Sequence, residues 1–199
     1  MDGMRFEKNF TALVDDRVAE GVFRVDRSVY TDQEVFDAEM AQIFEGGWIY
    51  LCHESQIPDE GSYYATDIGF TPVVVIRQKD GGLKTFINAC SHRAAILTPR
   101  KQGKARVLTC RFHGWAYSRE GRCVRIKQEK EGFGEEEFDR SSYDLKVVPR
   151  TESYRGFVFG SLEENVPPLR EALAAAAGWI DLMVEQSPDG LEVVPGSST

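Results

Sequence analysis

The sequence predicts a mainly β protein of small antiparallel sheets, with helices before them and a helix-and-strand extension after them. Three observations lead there. Between Tyr63 and His113, short runs rich in valine, isoleucine and threonine alternate with glycine-bearing turns, the pattern of hairpins. Before Trp48 and after Ser161 the apolar spacing lengthens to that of helices. Finally, Cys90-Ser91-His92 and Cys110-Arg111-Phe112-His113 each set a thiol and an imidazole at the end of a predicted strand.

In chain order, Thr11 to Ala19 is a short amphipathic piece ended by Gly21. A clearer helix follows. Thr31 and Glu34 have the spacing of a capping box, Val35, Phe36, Met40, Ile43 and Phe44 fall near helical spacing, and Gly46-Gly47 stops the run. Trp48-Ile49-Tyr50-Leu51 reads as the first strand of a new unit. Val73-Val74-Val75-Ile76, a turn at Asp80-Gly81-Gly82 and Leu83 to Ile87 predict a hairpin whose second strand delivers Asn88 to His92. Val107-Leu108-Thr109 delivers the second Cys/His segment in the same way, and Trp115-Ala116-Tyr117 leads to a turn at Glu120-Gly121. Gly132 to Glu137 is loop-like, whereas Tyr143 to Val148 and Gly156 to Phe159 return to strand character. Pro167-Pro168 opens a predicted helix through Met183, a turn follows at Ser187-Pro188-Asp189-Gly190, and Leu191 to Val194 begins one more strand. These signals divide the chain into an N-terminal helical segment (1–47), a β unit (48–160) and an unfinished helix-and-strand unit (161–199).

The chemistry sits in the two Cys/His segments, which take two of the four cysteines and two of the three histidines. Chance is therefore a weak account of them. Such residues also serve as core, as disulfides or as zinc ligands. Zinc sites, however, usually place a cysteine pair before a histidine pair, and here the two residue types alternate. Alternation fits a cluster in which one iron takes Cys90 and Cys110 and the other takes His92 and His113, the ligand set of a Rieske [2Fe-2S] centre. Gly114, directly after His113, would let backbone N–H groups approach the bridging sulfides. Cys52 and Cys123 read as small buried hydrophobes, and His53 as structural.

Length and composition set the surroundings of that centre. A chain of 199 residues, 42% hydrophobic and 28% charged, has the make-up of a soluble globular protein able to bury a core. Neither an apolar run of about 18 residues nor a basic-then-apolar N-terminus is visible, so no membrane span or signal peptide is read and a cytoplasmic location is expected. A net charge of −8 argues against nucleic acid as a partner. Its distribution is uneven, since residues 93 to 130 carry eleven basic side chains against two acidic ones. Two accounts fit: a cationic cap that steers an acidic redox partner, or a solvated surface balanced by Glu135 to Glu137.

Cys-x-His, a gap of seventeen residues and Cys-x-x-His-Gly-Trp together resemble the Rieske domain of aromatic ring-hydroxylating dioxygenases. The likeness extends beyond the motif. Trp48-Ile49-Tyr50-Leu51 with His53 to Pro58, Ser153 to Phe157 with Phe159 to Leu162, and Gln186-Ser187-Pro188 with Gly190 to Val193 resemble the large (alpha) subunit of benzoate and anthranilate 1,2-dioxygenases. Respiratory Rieske proteins differ from this pattern: their extra loop cysteines correspond to Ala95 and Phe112, and a serine that hydrogen-bonds the cluster corresponds to Trp115. Fewer hydrogen bonds to the sulfurs imply a potential near the low end of the Rieske range, roughly −150 mV.

The resemblance implies a Rieske iron-sulfur fold, with His92 and His113 presented at the surface as the way out for the electron. It also implies a reductase carrying FAD and [2Fe-2S] that passes on electrons from NADH, a small (beta) subunit, and an α3β3 or α3 assembly. In such enzymes a C-terminal catalytic domain holds a mononuclear Fe(II) that activates O2 for cis-dihydroxylation of an aromatic acid. That iron needs two histidines and a carboxylate, and no histidine follows His113. The expectation is thus a Rieske half with the first elements of an incomplete catalytic domain, shortened or a short gene product. It would transfer one electron and contribute no catalytic residue of its own. A stand-alone Rieske ferredoxin is the alternative, although a carrier of roughly 100 residues would leave both flanks without purpose.

Overall fold

In the computed structural model, which describes residues 9–134, 138–194 and 196, the first two strands form a hairpin. Strand β1 (Val14–Arg17) pairs antiparallel with β2 (Val22–Val25), setting Val14 opposite Val25. This corrects the amphipathic piece expected over Thr11 to Ala19. Valines at 14, 22 and 25 suit a ladder better than a helix face. Only 3₁₀ turns at Phe10–Leu13 and Val18–Glu20 remain helical. Helix α1 (Gln33–Glu39) runs on into a π-helical turn, Met40–Phe44. Its cap is Asp32, one residue beyond the expected Thr31. The Asp32 carboxylate accepts from the N–H groups of Glu34 (3.0 Å) and Val35 (3.3 Å) and meets the positive end of the helix dipole.

From Ile49 onward the chain is mostly β. Strands β3 (Ile49–His53), β4 (Ser62–Ile68), β5 (Thr71–Arg77), β6 (Leu83–Ile87), β7 (Gln102–Lys104), β8 (Val107–Thr109), β9 (Ala116–Ser118), β10 (Cys123–Arg125), β11 (Arg150–Tyr154) and β12 (Phe157–Ser161) form three sheets. Their orders are β6-β5-β4-β7, β10-β9-β8 and β11-β12-β3, all antiparallel. The four-stranded sheet separates two cores. Val74 and Ile76 of β5 pack with Phe86, Leu108, Tyr117 and the two predicted cysteine ligands, whereas Val73 and Val75 pack with Leu51, Cys52, Ile57 and Val158. A strand buried on both faces needs an unbroken apolar run, and Val73 to Ile76 supplies it. Each such side chain contributes about 1.5–3 kcal/mol over its exposed state. At the β9–β10 turn Gly121 has φ +89, and a side chain there would collide with the Phe86 ring.

Other expectations shift at the edges. Residues 143 to 148 form no strand of their own. After a 3₁₀ turn at Arg140–Tyr143 the chain runs beside β6, where Ile87 N–H donates to Lys146 O (2.9 Å) and Val148 N–H to Thr85 O (2.8 Å). The predicted loop begins inside a short helix, α2 (Glu129–Phe133), and Glu135 to Glu137 lie outside the described residues. The long C-terminal helix is two, α3 (Leu169–Leu173) and α4 (Ala176–Glu185), broken at Ala174 with φ 44. An alanine run lacks the side chains to hold one axis, so the buried Leu169 and Ala177 decide where each helix lies. Asp181 on α4 accepts from Tyr154 Oη (2.9 Å) and Arg155 Nε (2.8 Å), tying it to the β11–β12 hairpin. Leu191 to Val194 forms no strand; there Val193 N–H donates to Ser55 Oγ (3.1 Å). Among the described residues no helix is long and apolar enough to cross a membrane.

Candidate metal centre

Both predicted ligand segments are loops fixed at strand ends, the first leaving β6 and the second joining β8 to β9. Backbone hydrogen bonds build the same turn twice. Cys90 N–H donates to Ala95 O (2.8 Å) and Ala94 N–H to Cys90 O (2.8 Å); Cys110 N–H donates to Trp115 O (2.8 Å) and Gly114 N–H to Cys110 O (3.0 Å). Closing that ring demands a left-handed residue four positions after each cysteine, met by Ala94 (φ 55) and Gly114 (φ 69). A side-chain carbon at 114 would touch only Lys127, at an ordinary 3.5 Å, so backbone conformation rather than crowding calls for glycine there. At the base of the first loop the buried Asn88 side chain accepts from Thr98 N–H (3.0 Å) and donates to Thr98 O (3.3 Å).

The loops bring Cys90, His92, Cys110 and His113 around one cavity of about 670 Å³. Cys90 and Cys110 are 3% and 2% exposed, belong to the apolar core and are not joined in a disulfide. The imidazoles stand farther out, His92 half-buried and His113 exposed, with ring centroids 4.8 Å apart at 79°. Trp115 lies flat on His92 at 4.9 Å and 8°, and Tyr143 edges the indole at 5.2 Å. Burial, with the neighbouring His113 and Arg93 charges, pulls the His92 pKa down and favours the neutral imidazole a metal accepts.

This donor set suits two irons. Among the described residues no three of His, Cys, Asp and Glu are grouped as the shell of a single ion. A [2Fe-2S] cluster asks for less at each metal, because two inorganic sulfides complete each tetrahedron and the protein supplies one pair per iron. Buried thiols behind and imidazoles in front meet that demand.

Sequence reasoning missed two supports. Tyr117, buried beneath the first loop, accepts from Ser91 N–H (3.0 Å), and its hydroxyl lies 3.2 Å from Cys90 Sγ. Burial and the adjacent sulfur raise its pKa, so it stays a phenol able to donate to a thiolate. Its one signal is the two-residue step from Trp115, which sets both rings on the same side of an extended segment. Asp144 has no such signal. Its carbonyl accepts from Ser91 Oγ (3.1 Å) and its carboxylate from Cys123 N–H (2.6 Å), joining the first loop to β10.

The remaining thiols and histidine lie elsewhere. His53 caps a 3₁₀ turn: its Nδ1 accepts from Ser55 N–H (3.2 Å) and its ring meets Phe157 edge-on at 5.1 Å. Beside it the Cys52 thiol is pushed up to about 12 by burial. Burial, then the Asp144 charge, raises the Cys123 pKa as well.

Comparison with known proteins matches residues 47–152 to the Rieske [2Fe-2S] domain. The chain is 49% identical to the alpha subunit of toluate 1,2-dioxygenase from Pseudomonas putida, over 94% of this chain and 42% of that protein. With the large subunit of anthranilate 1,2-dioxygenase from Acinetobacter baylyi it shares 45% identity, over 96% and 41% respectively. The solved structure of naphthalene 1,2-dioxygenase from Rhodococcus sp. bound to indole superposes with a TM-score of 0.80 at 32% identity, over 86% of this chain and 39% of that one. The chain thus spans about two fifths of the length of the curated relatives it matches.

Proposed function

We propose that this chain, which belongs to the Rieske [2Fe-2S] family, carries single electrons as the N-terminal part of an aromatic ring-hydroxylating dioxygenase large subunit of the benzoate and anthranilate type. Cys90 and Cys110 would hold one iron as thiolates, and His92 and His113 the other as imidazoles. When bound, the cluster supplies reversible uptake of one electron. The Tyr117 hydroxyl, 3.2 Å from Cys90 Sγ, is placed to stabilise the electron-rich sulfur of the reduced state. Trp115 covers one face of His92, while His113 keeps an exposed edge through which an outside acceptor is reached.

We read residues 1–47 as a flanking segment, 48–160 as the cluster domain and 161–199 as the opening of a catalytic domain. The matched span, 47–152, supports the middle division. Of the three histidines, two lie in the loops and His53 caps a turn, so a mononuclear Fe(II) would need ligands from outside this chain. The electrons would come from NADH through a reductase carrying FAD and [2Fe-2S]. They would go to a mononuclear Fe(II) that cis-dihydroxylates an aromatic acid, in an assembly with a small subunit and neighbouring large subunits. Likeness to large subunits over both flanks favours this reading above a stand-alone ferredoxin.

One observation carries the proposal: two thiols buried behind two imidazoles, all four on twin loops around a single cavity. Anaerobic reconstitution of the full chain with iron and sulfide tests it. Two irons and two acid-labile sulfides per chain, with a Rieske-type EPR signal on reduction, are expected. A colourless, EPR-silent protein, or one that holds zinc at these residues, would overturn it.

A further inference from the structure

Next to the cluster cavity, and sharing only Pro99 and Arg111 with it, lies a second depression of about 360 Å³ that none of the four ligand residues lines. Its polar groups are donors. Arg100 and Arg111 bring two guanidiniums and Tyr63, Thr98 and Thr109 three hydroxyls, while no carboxylate stands on the walls. The other wall residues are apolar, Leu97, Pro99 and Val107 among them.

Segments far apart in the chain converge to build this site. Thr98 is held by its two hydrogen bonds with the buried Asn88 side chain, and Thr109 is the last residue of β8. Tyr63 comes from β4 and lies across Gly103 of β7, where a side-chain carbon would stand 2.6 Å from the phenol oxygen. Tyr63 is only 9% exposed, yet among the described residues its hydroxyl meets no hydrogen-bond partner, and neither does the buried hydroxyl of Thr98. Ordered polar groups left unmatched inside a fold call for an outside partner. Donors without an acceptor select an oxyanion, whose paired oxygens match the guanidinium fork. The apolar walls and the volume leave room for a compact carbon body behind that head group.

We propose that this depression binds a small organic oxyanion, with its carboxylate or phosphate head on Arg100, Arg111 and the Tyr63 hydroxyl and its apolar body against Leu97, Pro99 and Val107. The site shares no residue with Cys90, His92, Cys110 or His113. It therefore stands apart from what those four hold.

Equilibrium dialysis of the full chain, reconstituted with iron and sulfide, against radiolabelled benzoate and phenyl phosphate tests it, with benzamide as the uncharged look-alike of benzoate. At low ionic strength at least one of the two anions should bind saturably, one per chain, and the tighter of them identifies the head group. Its affinity should fall as salt is raised. Benzamide should bind at least about tenfold more weakly than that anion. Arg100→Gln should weaken anion binding about tenfold and Tyr63→Phe about threefold. Arg24→Gln, on the N-terminal hairpin and outside these walls, should leave it within about twofold. No saturable binding of either anion, benzamide binding as tightly as the tighter anion, or equal losses in Arg24→Gln and Arg100→Gln would overturn the site. Absence of a cluster signal with anion binding retained would overturn the metal centre and uphold this site.

Discussion

The two ligand loops close with the same pair of backbone hydrogen bonds, yet one turns through alanine and the other through glycine, and histidine sits two residues after cysteine in one and three after it in the other. The backbone ring is thus the common element, and ligand spacing is free to vary within it. Differences accumulate outside the ring. The first loop rests on Tyr117 and Asp144, and its histidine is stacked under Trp115. The second carries the exposed Phe112 and His113. One loop is braced and the other is presented to solvent.

Changes aimed at what the loops share should have the largest effect. Cys90→Ala and Cys110→Ala remove equivalent donors, so each should abolish bound iron and sulfide altogether. Metal analysis of reconstituted protein reads this directly. A loop whose cysteine proved dispensable would end the equivalence.

The left-handed positions should then separate the loops by sign. Gly114→Ala forces a side chain into a conformation that costs roughly 1–2 kcal/mol, while Ala94→Gly relieves a similar strain and should raise stability by up to about 1 kcal/mol. Urea midpoints of the two variants are expected to move in opposite directions.

Tyr117→Phe touches the braced loop alone. It leaves the Ser91 N–H without its partner, costing about 1–3 kcal/mol, and withdraws a hydrogen bond from Cys90 Sγ. The reduction potential should fall by tens of mV, on the order of one weak hydrogen bond. A potentiometric titration that found no shift would show the hydroxyl to be structural only.

The smallest effect should come from outside both loops. Burial works against the Glu54 carboxylate, but hydrogen bonds from Ser153 and Arg77 hold its pKa below the ordinary value. A lowered folded pKa contributes stability that is present above the unfolded carboxylate pKa and is lost as pH falls through the folded one. Glu54→Gln should therefore flatten the acid limb of the stability profile in denaturant melts, with iron content unchanged.

Legibility followed the range of the interaction. The gathering of Cys90, His92, Cys110 and His113 around one cavity, the buried valine run of β5 and the Asp80 to Gly82 turn were readable because local chemistry dictates each of them. The hairpin at Val14 to Val25 was not, since four-residue strands defined by pairing leave a pattern that a helix also fits. The break at Ala174 follows from packing of Leu169 and Ala177, and alanine carries no directional signal. The repeated turn stayed hidden for a different reason. Its likeness lies in hydrogen bonds and φ values, and Ala94 shares no side-chain chemistry with Gly114 that would mark the match.

Within the sheet β11-β12-β3, Ile49 at the start of β3 lies opposite Gly160 near the end of β12. The polypeptide therefore arrives at and departs from the cluster unit at one place, with the two crossings hydrogen-bonded side by side. Neighbouring ends of this kind need a single point of attachment, so the strands between them are anchored to both flanks at one edge of one sheet.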